Sequence, residues 1–194
     1  MKSEIMNQST CTHVLYSYEN GEHYIKNAIS YITDGIEAGD SIILIENERN
    51  LKVLFKQLES RLTNDQLEKI NVISNFEFYL ARGSYHAPAI LEQMRKTITP
   101  YLESDTPFRS WANVEWGLLE DPSQTVDWFE KETDKAVHEY GLKVVCAYEA
   151  ARMPDCLQSI LEKSHPYIMT DDNFYKSYTY DPSHLAVNKV IDSK

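Results

Sequence analysis

Apolar residues along the chain fall into two kinds of run. One is short and nearly continuous: Val14-Leu15-Tyr16, Ile42-Ile43-Leu44-Ile45, Ile70-Asn71-Val72-Ile73 and Val144-Val145-Cys146-Ala147. Runs of this kind fit strands buried on both faces, as in a parallel sheet. The other kind recurs every three or four positions, the helical period. Tyr24, Ala28, Ile29, Ile32 and Ile36 make one such stripe, with Gly39 as its stop. Leu51, Leu54, Phe55, Leu58 and Leu62 make a second, predicting a helix from Asn50 to Leu62. Longer helices are predicted from Tyr85 to Leu102, with Pro100 capping or kinking the end, and from Val126 to Tyr140, stopped by Gly141. Pro154 to Lys163 is helical, and the stretch up to Tyr180 is a final strand or hairpin. A strand is expected from Phe108 to Leu118, while Phe76 to Gly83 shows no clear pattern. Strands alternating with helices predict βαβ units, so the fold class is α/β, a three-layer sandwich with a mainly parallel central sheet flanked by helices.

Composition changes this picture little. The 194 residues suit one domain, read as residues 11–182 between a flexible N-terminus at 1–10 and a C-terminal tail at 183–194. At 42% hydrophobic the chain has enough apolar surface to escape disorder. Thirty acidic against nineteen basic residues, a formal net charge of −11, argue against nucleic acid and against acidic lipid surfaces as partners. Cys11, Cys146 and Cys156 form no disulfide framework and no zinc-type spacing, so no metal and no cofactor are expected, and Cys146 is read as a small hydrophobe. The lack of a signal-like segment or a long apolar stretch leads to the expectation of a cytoplasmic chain.

Ligands of parallel sheets bind beyond the carboxyl ends of the strands. The first strand-to-helix turn here is Tyr18-Glu19-Asn20-Gly21-Glu22-His23. It has one glycine and no lysine, and Glu19 and Glu22 would repel an anion at the helix N-terminus. Nucleotide binding and hydrolysis are therefore not expected.

Several segments in order carry a family resemblance: Thr12-His13-Val14-Leu15-Tyr16-Ser17-Tyr18-Glu19, Gly35-Ile36-Glu37-Ala38-Gly39-Asp40 and Tyr79-Leu80-Ala81-Arg82-Gly83-Ser84-Tyr85. Asn113-Val114-Glu115-Trp116-Gly117-Leu118, Cys146-Ala147-Tyr148-Glu149, Met153-Pro154 and His165-Pro166 complete the set. Together they resemble the MEDS domain, a sensory domain of methanogen and methylotroph signalling proteins, over about Thr12 to Pro182. Ala87-Pro88 and Glu149 depart from the family's usual Asp-Pro and Asp. The resemblance implies a RecA-like sheet without a working nucleotide site. It also implies signalling beside a histidine kinase, an anti-sigma-type kinase or a transcription regulator, reached in trans.

The candidate ligand-binding residues are His13, Tyr18, Glu19, Glu115, Trp116, Tyr148, Glu149 and His165. Each has a structural reading beside the functional one. His13 suits a hydrogen bond to a neighbouring loop, His165, held extended before Pro166, suits a structural turn, and Glu115 suits an ion pair with Arg109 or Arg152. His138 and Asp134 share a helical face with no third ligand evident. Glu19, Glu115 and Glu149 could converge, but without a nucleophile or oxyanion hole. Two functions stay open: a non-catalytic sensor of a small molecule, or a ligand-free protein–protein interaction module. An unrecognised hydrolase ranks behind both, and self-association is undecided.

Overall fold

In the computed structural model, which describes residues 11–117, 119, 121–154 and 156–186, seven strands form one sheet. The expectations for residues 1–10, for Leu118 and for the tail beyond 186 lie outside the described residues. The strands are β1 (Thr12–Tyr18), β2 (Ser41–Glu46), β3 (Ile70–Ser74), β4 (Phe108–Asn113), β5 (Lys143–Glu149), β6 (Tyr167–Met169) and β7 (Phe174–Lys176). Their order is β3-β2-β4-β5-β1-β6-β7. Every pairing is parallel except β6 with β7, the hairpin foreseen at the end of the chain.

Helices cover both faces, as the unbroken apolar runs require. On one face lie α1 (Gly21–Glu37) and α2 (Glu48–Leu58), packed on Val14, Tyr16, Ile42, Leu44, Trp111 and Val145. A short α3 (Asn64–Leu67) leads into β3. The opposite face carries α4 (Asn75–Leu80), α5 (Ala87–Glu103), α6 (Ser123–Tyr140) and α7 (Leu157–Ser164), packed on Leu15, Ile43, Ala112, Val144 and Cys146. The three-layer, mainly parallel α/β arrangement is as expected.

The departures are local. The unpatterned stretch after β3 is α4, capped by the Ser74 hydroxyl accepting from the Glu77 amide. Pro100 neither ends nor caps α5, which runs on to Glu103, because its ring sits on the exposed side of the last turns. β4 stops at Asn113 instead of running to Leu118: the Glu115 carboxylate accepts from the Gly117 amide at 2.8 Å, and Gly117 turns the chain away at φ +65°. The second helix ends at Leu58, short of Leu62, and a 3-10 turn (Ala150–Arg152) separates β5 from α7.

An ion pair ties the turn between α1 and β2 to β4. Arg109 on β4 donates through Nε at 2.7 Å to Asp40, just before β2, and its terminal nitrogen lies 2.6 Å from the same oxygen. Gly35 leaves room for it: a Cβ there would lie 2.8 Å from the Arg109 Cδ and 2.7 Å from the Ile42 Cδ1. Among the described residues no helix is long and apolar enough to cross a membrane.

Candidate functional site

The helices after β1 and β5, adjacent strands, leave on opposite faces of the sheet, which opens a crevice at their carboxyl ends. Its volume is about 640 Å³, and Ser17, Glu19, Met153, Pro154, Gln158 and Asp172 are among its walls, with Asp171 at its edge. Among the described residues that line it, three are acidic and none is Lys or Arg. In the turn between β1 and α1, the Asn20 side chain accepts from the amides of Glu22 (2.8 Å) and His23 (3.2 Å). Asp171, from the loop after β6, accepts from the amides of Glu19 (3.3 Å) and Asn20 (3.0 Å) and from the Tyr16 hydroxyl (2.9 Å). Four amides around this helix N-terminus, those of Glu19, Asn20, Glu22 and His23, are thus occupied by side-chain oxygens of the chain itself.

Beside the crevice, the segments that follow β4 and β5 form a stack with the end of β5. Arg152 forms a two-pronged pair with Glu115, at 2.8 and 2.7 Å, and its guanidinium lies 4.8 Å above the centre of the Trp116 ring. Trp116 in turn stacks on Tyr148, ring centres 5.7 Å apart. Burial works against the Glu115 charge, but Arg152 and the Gly117 amide outweigh it and hold the carboxyl below its ordinary value. Because Arg152 is 40% exposed, the pair is well solvated. Glu115→Gln therefore costs about 1 kcal/mol or less, and a thermal melt should fall by roughly 2–4 °C. A fall above roughly ten degrees would show the pair to be energetically buried.

Beneath the stack lies a fully buried polar core. Glu130 of α6 accepts from the Tyr148 hydroxyl through Oε1, while its Oε2 lies 3.3 Å from His13 Nε2 and 3.5 Å from His165 Nε2. Cys146 Sγ is 3.6 Å from the same His13 nitrogen, and the two imidazoles stack with centres 3.9 Å apart. The far nitrogens face acceptors. His13 Nδ1 donates to Asp134 Oδ1 (3.1 Å) and to the Ser164 carbonyl (3.2 Å), and His165 Nδ1 donates to the Leu161 carbonyl (2.7 Å). Asp134 also accepts from Tyr180 and His184, each at 2.8 Å.

This concentration of groups moves their protons. Burial opposes the charge on Glu130, yet His13 and His165 hold it far below the carboxylate range, and Asp134 falls to about 2 through His13 despite its own burial. Burial lowers both histidines. At His13 its carboxylate and thiol neighbours reverse the effect, whereas His165, next to His13, stays below its ordinary value. The Cys146 thiol is pushed up to about 12 by burial and the nearby Glu130.

The eight expected site residues thus occupy separate places. Glu19 lines the crevice; Glu115, Trp116 and Tyr148 form the stack; His13 and His165 lie in the core. Tyr18 is buried against Tyr24, ring centres 4.4 Å apart, and Glu149 is exposed at the strand end. Glu19, Glu115 and Glu149 do not share the crevice: only Glu19 lines it. Glu130 did not stand out in the sequence. Its one signal is a carboxylate on the buried stripe of α6, between Phe129 and Thr133, one turn before Asp134. Cys146 is a partner of His13 as well as a small core residue.

Fold and geometry together define a three-layer, mainly parallel α/β domain with an acidic crevice at the carboxyl edge of its sheet and a sealed polar core. The chain belongs to the MEDS family: the model for the MEthanogen/methylotroph, DcmR Sensory domain matches residues 12–166. Among solved structures it is similar to an ATPase domain, at 12% identity and a TM-score of 0.47, over 90% of this chain and 73% of that one. No curated protein matches the sequence.

Proposed function

We propose that the domain is a non-catalytic sensor whose crevice takes a small cationic or hydrogen-bond-donating molecule and whose occupancy regulates a signalling protein in trans. The observation that carries the reading is the crevice itself, sited where parallel sheets bind ligands and walled by Glu19, Asp171 and Asp172 without a lysine or arginine. Membership of a sensory family agrees with it. Asp171 is committed to the Glu19 and Asn20 amides, so Glu19 and Asp172 are the carboxylates with freedom to meet a ligand. The filled amides of the first turn support the absence of nucleotide binding and, with it, of hydrolysis.

A thermal-shift panel of small amines, alcohols and amides, with Mg-ATP included, tests this. A binder at a hundred times its Kd adds about 2.7 kcal/mol, a rise of roughly 5–10 °C in a domain of this size. Glu19→Gln with Asp172→Asn should abolish the shift while leaving the unliganded melt close to that of the parent. Stabilisation by Mg-ATP alone, or no response to any cation or donor, would sink the reading.

A further inference from the structure

We propose that His13, Glu130, Cys146 and His165 form a closed four-ligand site for a divalent metal ion of the zinc type. The site is built from β1, α6, β5 and the start of the segment leading into β6, and it is independent of the crevice and of any ligand bound there.

The spacing of the donors suits such an ion. One donor atom from each of the four residues lies within 4.8 Å of all the others. A tetrahedral ion with bonds of about 2.0–2.1 Å to nitrogen and oxygen and about 2.3 Å to sulfur places its donors roughly 3.3–3.6 Å apart. The close pairs here are 3.3 Å (His13 to Glu130), 3.5 Å (His165 to Glu130) and 3.6 Å (Cys146 to His13).

The ring nitrogens are also oriented for it. Because Nδ1 of each imidazole faces acceptors, it holds the proton of the neutral ring, which leaves Nε2 of each, directed toward Glu130 Oε2, as the nitrogen that can offer a lone pair to a metal ion. Glu130 Oε2 and His165 Nε2 have no hydrogen-bond partner among the described residues, although both are fully buried. Unpaired acceptors facing one another in a dry core are costly. A cation at their focus turns that repulsion into coordination.

The groups around the four residues hold them in place. Metal-bound imidazoles pass their other N–H to a carboxylate or carbonyl, which fixes the ring. Here Asp134 holds His13 and the Leu161 carbonyl holds His165, while the Tyr148 hydroxyl takes Oε1 of Glu130 and turns Oε2 inward. Charge also closes: a thiolate and a carboxylate with two neutral imidazoles balance a divalent ion. Cys146 loses its proton, and His13 the second proton on its Nε2, to solvent as the metal–ligand bonds form. Four protein ligands, all buried, leave no open position, so the ion is structural or regulatory in kind.

The test uses the full chain, stripped of metal by a chelator in denaturant and refolded with Co2+ as the sole added metal. The expected result is one Co2+ bound per chain, with the visible bands of a four-coordinate ion and a near-ultraviolet thiolate charge-transfer band. That band should persist in Cys11→Ser and Cys156→Ser and vanish in Cys146→Ser. If Cys146→Ser does not fold, persistence in the other two variants assigns the sulfur. Asp134→Asn keeps every donor and should weaken binding roughly 10–100-fold by freeing the His13 ring. A natively folded chain that takes up no Co2+, its core closed by a proton on His13 alone, overturns the proposal. So does a charge-transfer band that depends on Cys11 or Cys156.

Discussion

Replacing Asp40 by Asn lowers the melting temperature by roughly 6–20 °C. The substitution keeps size and removes charge. It takes the Asp40 counter-charge away from the Arg109 guanidinium, which is 1% exposed beneath α1. Removing one member of a buried pair costs about 3–5 kcal/mol. Lys143 lies 4.0 Å from the same Asp40 oxygen and loses its attraction as well. Replacing both partners by apolar residues, Asp40→Leu with Arg109→Met, should recover much of the loss, since well-packed hydrophobic substitutes for buried pairs are often neutral. Thermal melts of the single and double variants decide the matter. A single variant that melts within about two degrees of the parent would show that the pair contributes little.

Trp111→Ala should cost about 3–5 kcal/mol, the range for deleting a large buried aromatic. Trp111 is fully buried at the centre of β4, and its ring contacts Tyr16, Tyr24 and Tyr31 with centres 5.5–5.6 Å apart. Its indole N–H donates to the Tyr24 hydroxyl at 2.9 Å, and that hydroxyl donates to Glu46. The truncation therefore opens a cavity and removes one link of a hydrogen-bonded chain. Trp111→Phe refills most of the volume and should recover more than half of the loss. Denaturant midpoints measure both, with an unchanged slope expected because the exposed surface on unfolding is little altered. A loss below about 1 kcal/mol for Trp111→Ala would mean that the neighbouring tyrosines collapse into the space.

The layers of the fold were legible because burial on both faces writes itself into sequence as unbroken β-branched runs. Ile42-Ile43-Leu44-Ile45 lies in β2 between β3 and β4, where both faces are covered. β4 was harder to delimit, because Phe108-Arg109-Ser110 places a charge inside a buried strand, and the distant Asp40 helps to make that tolerable. Its end depended on a side chain turning back on Gly117, which no periodicity records. The crevice was legible in part: the absence of a phosphate loop was plain in Glu19-Asn20-Gly21-Glu22, but the contribution of Asp171 comes from far along the chain. The polar core was the least legible. His13, Glu130, Cys146 and His165 sit on separate elements, so their convergence is a property of strand order and of which face each residue takes, not of spacing.

That strand order also governs how the chain reaches this state. β1, the first strand of the sheet in chain order, pairs with β5 and β6, both from the last third of the chain. Pairings so distant in sequence close long loops before any contact rewards them, which slows folding. During synthesis Val14-Leu15-Tyr16 lacks its partners in the sheet until residue 149 has left the ribosome, so an apolar strand waits with both edges unpaired. The β3-β2-β4 part of the sheet, whose members lie closer together in the chain, can assemble meanwhile. Insertion of β1 between β5 and β6 is then the late, committing event, and it is also the step that brings His13 to its partners.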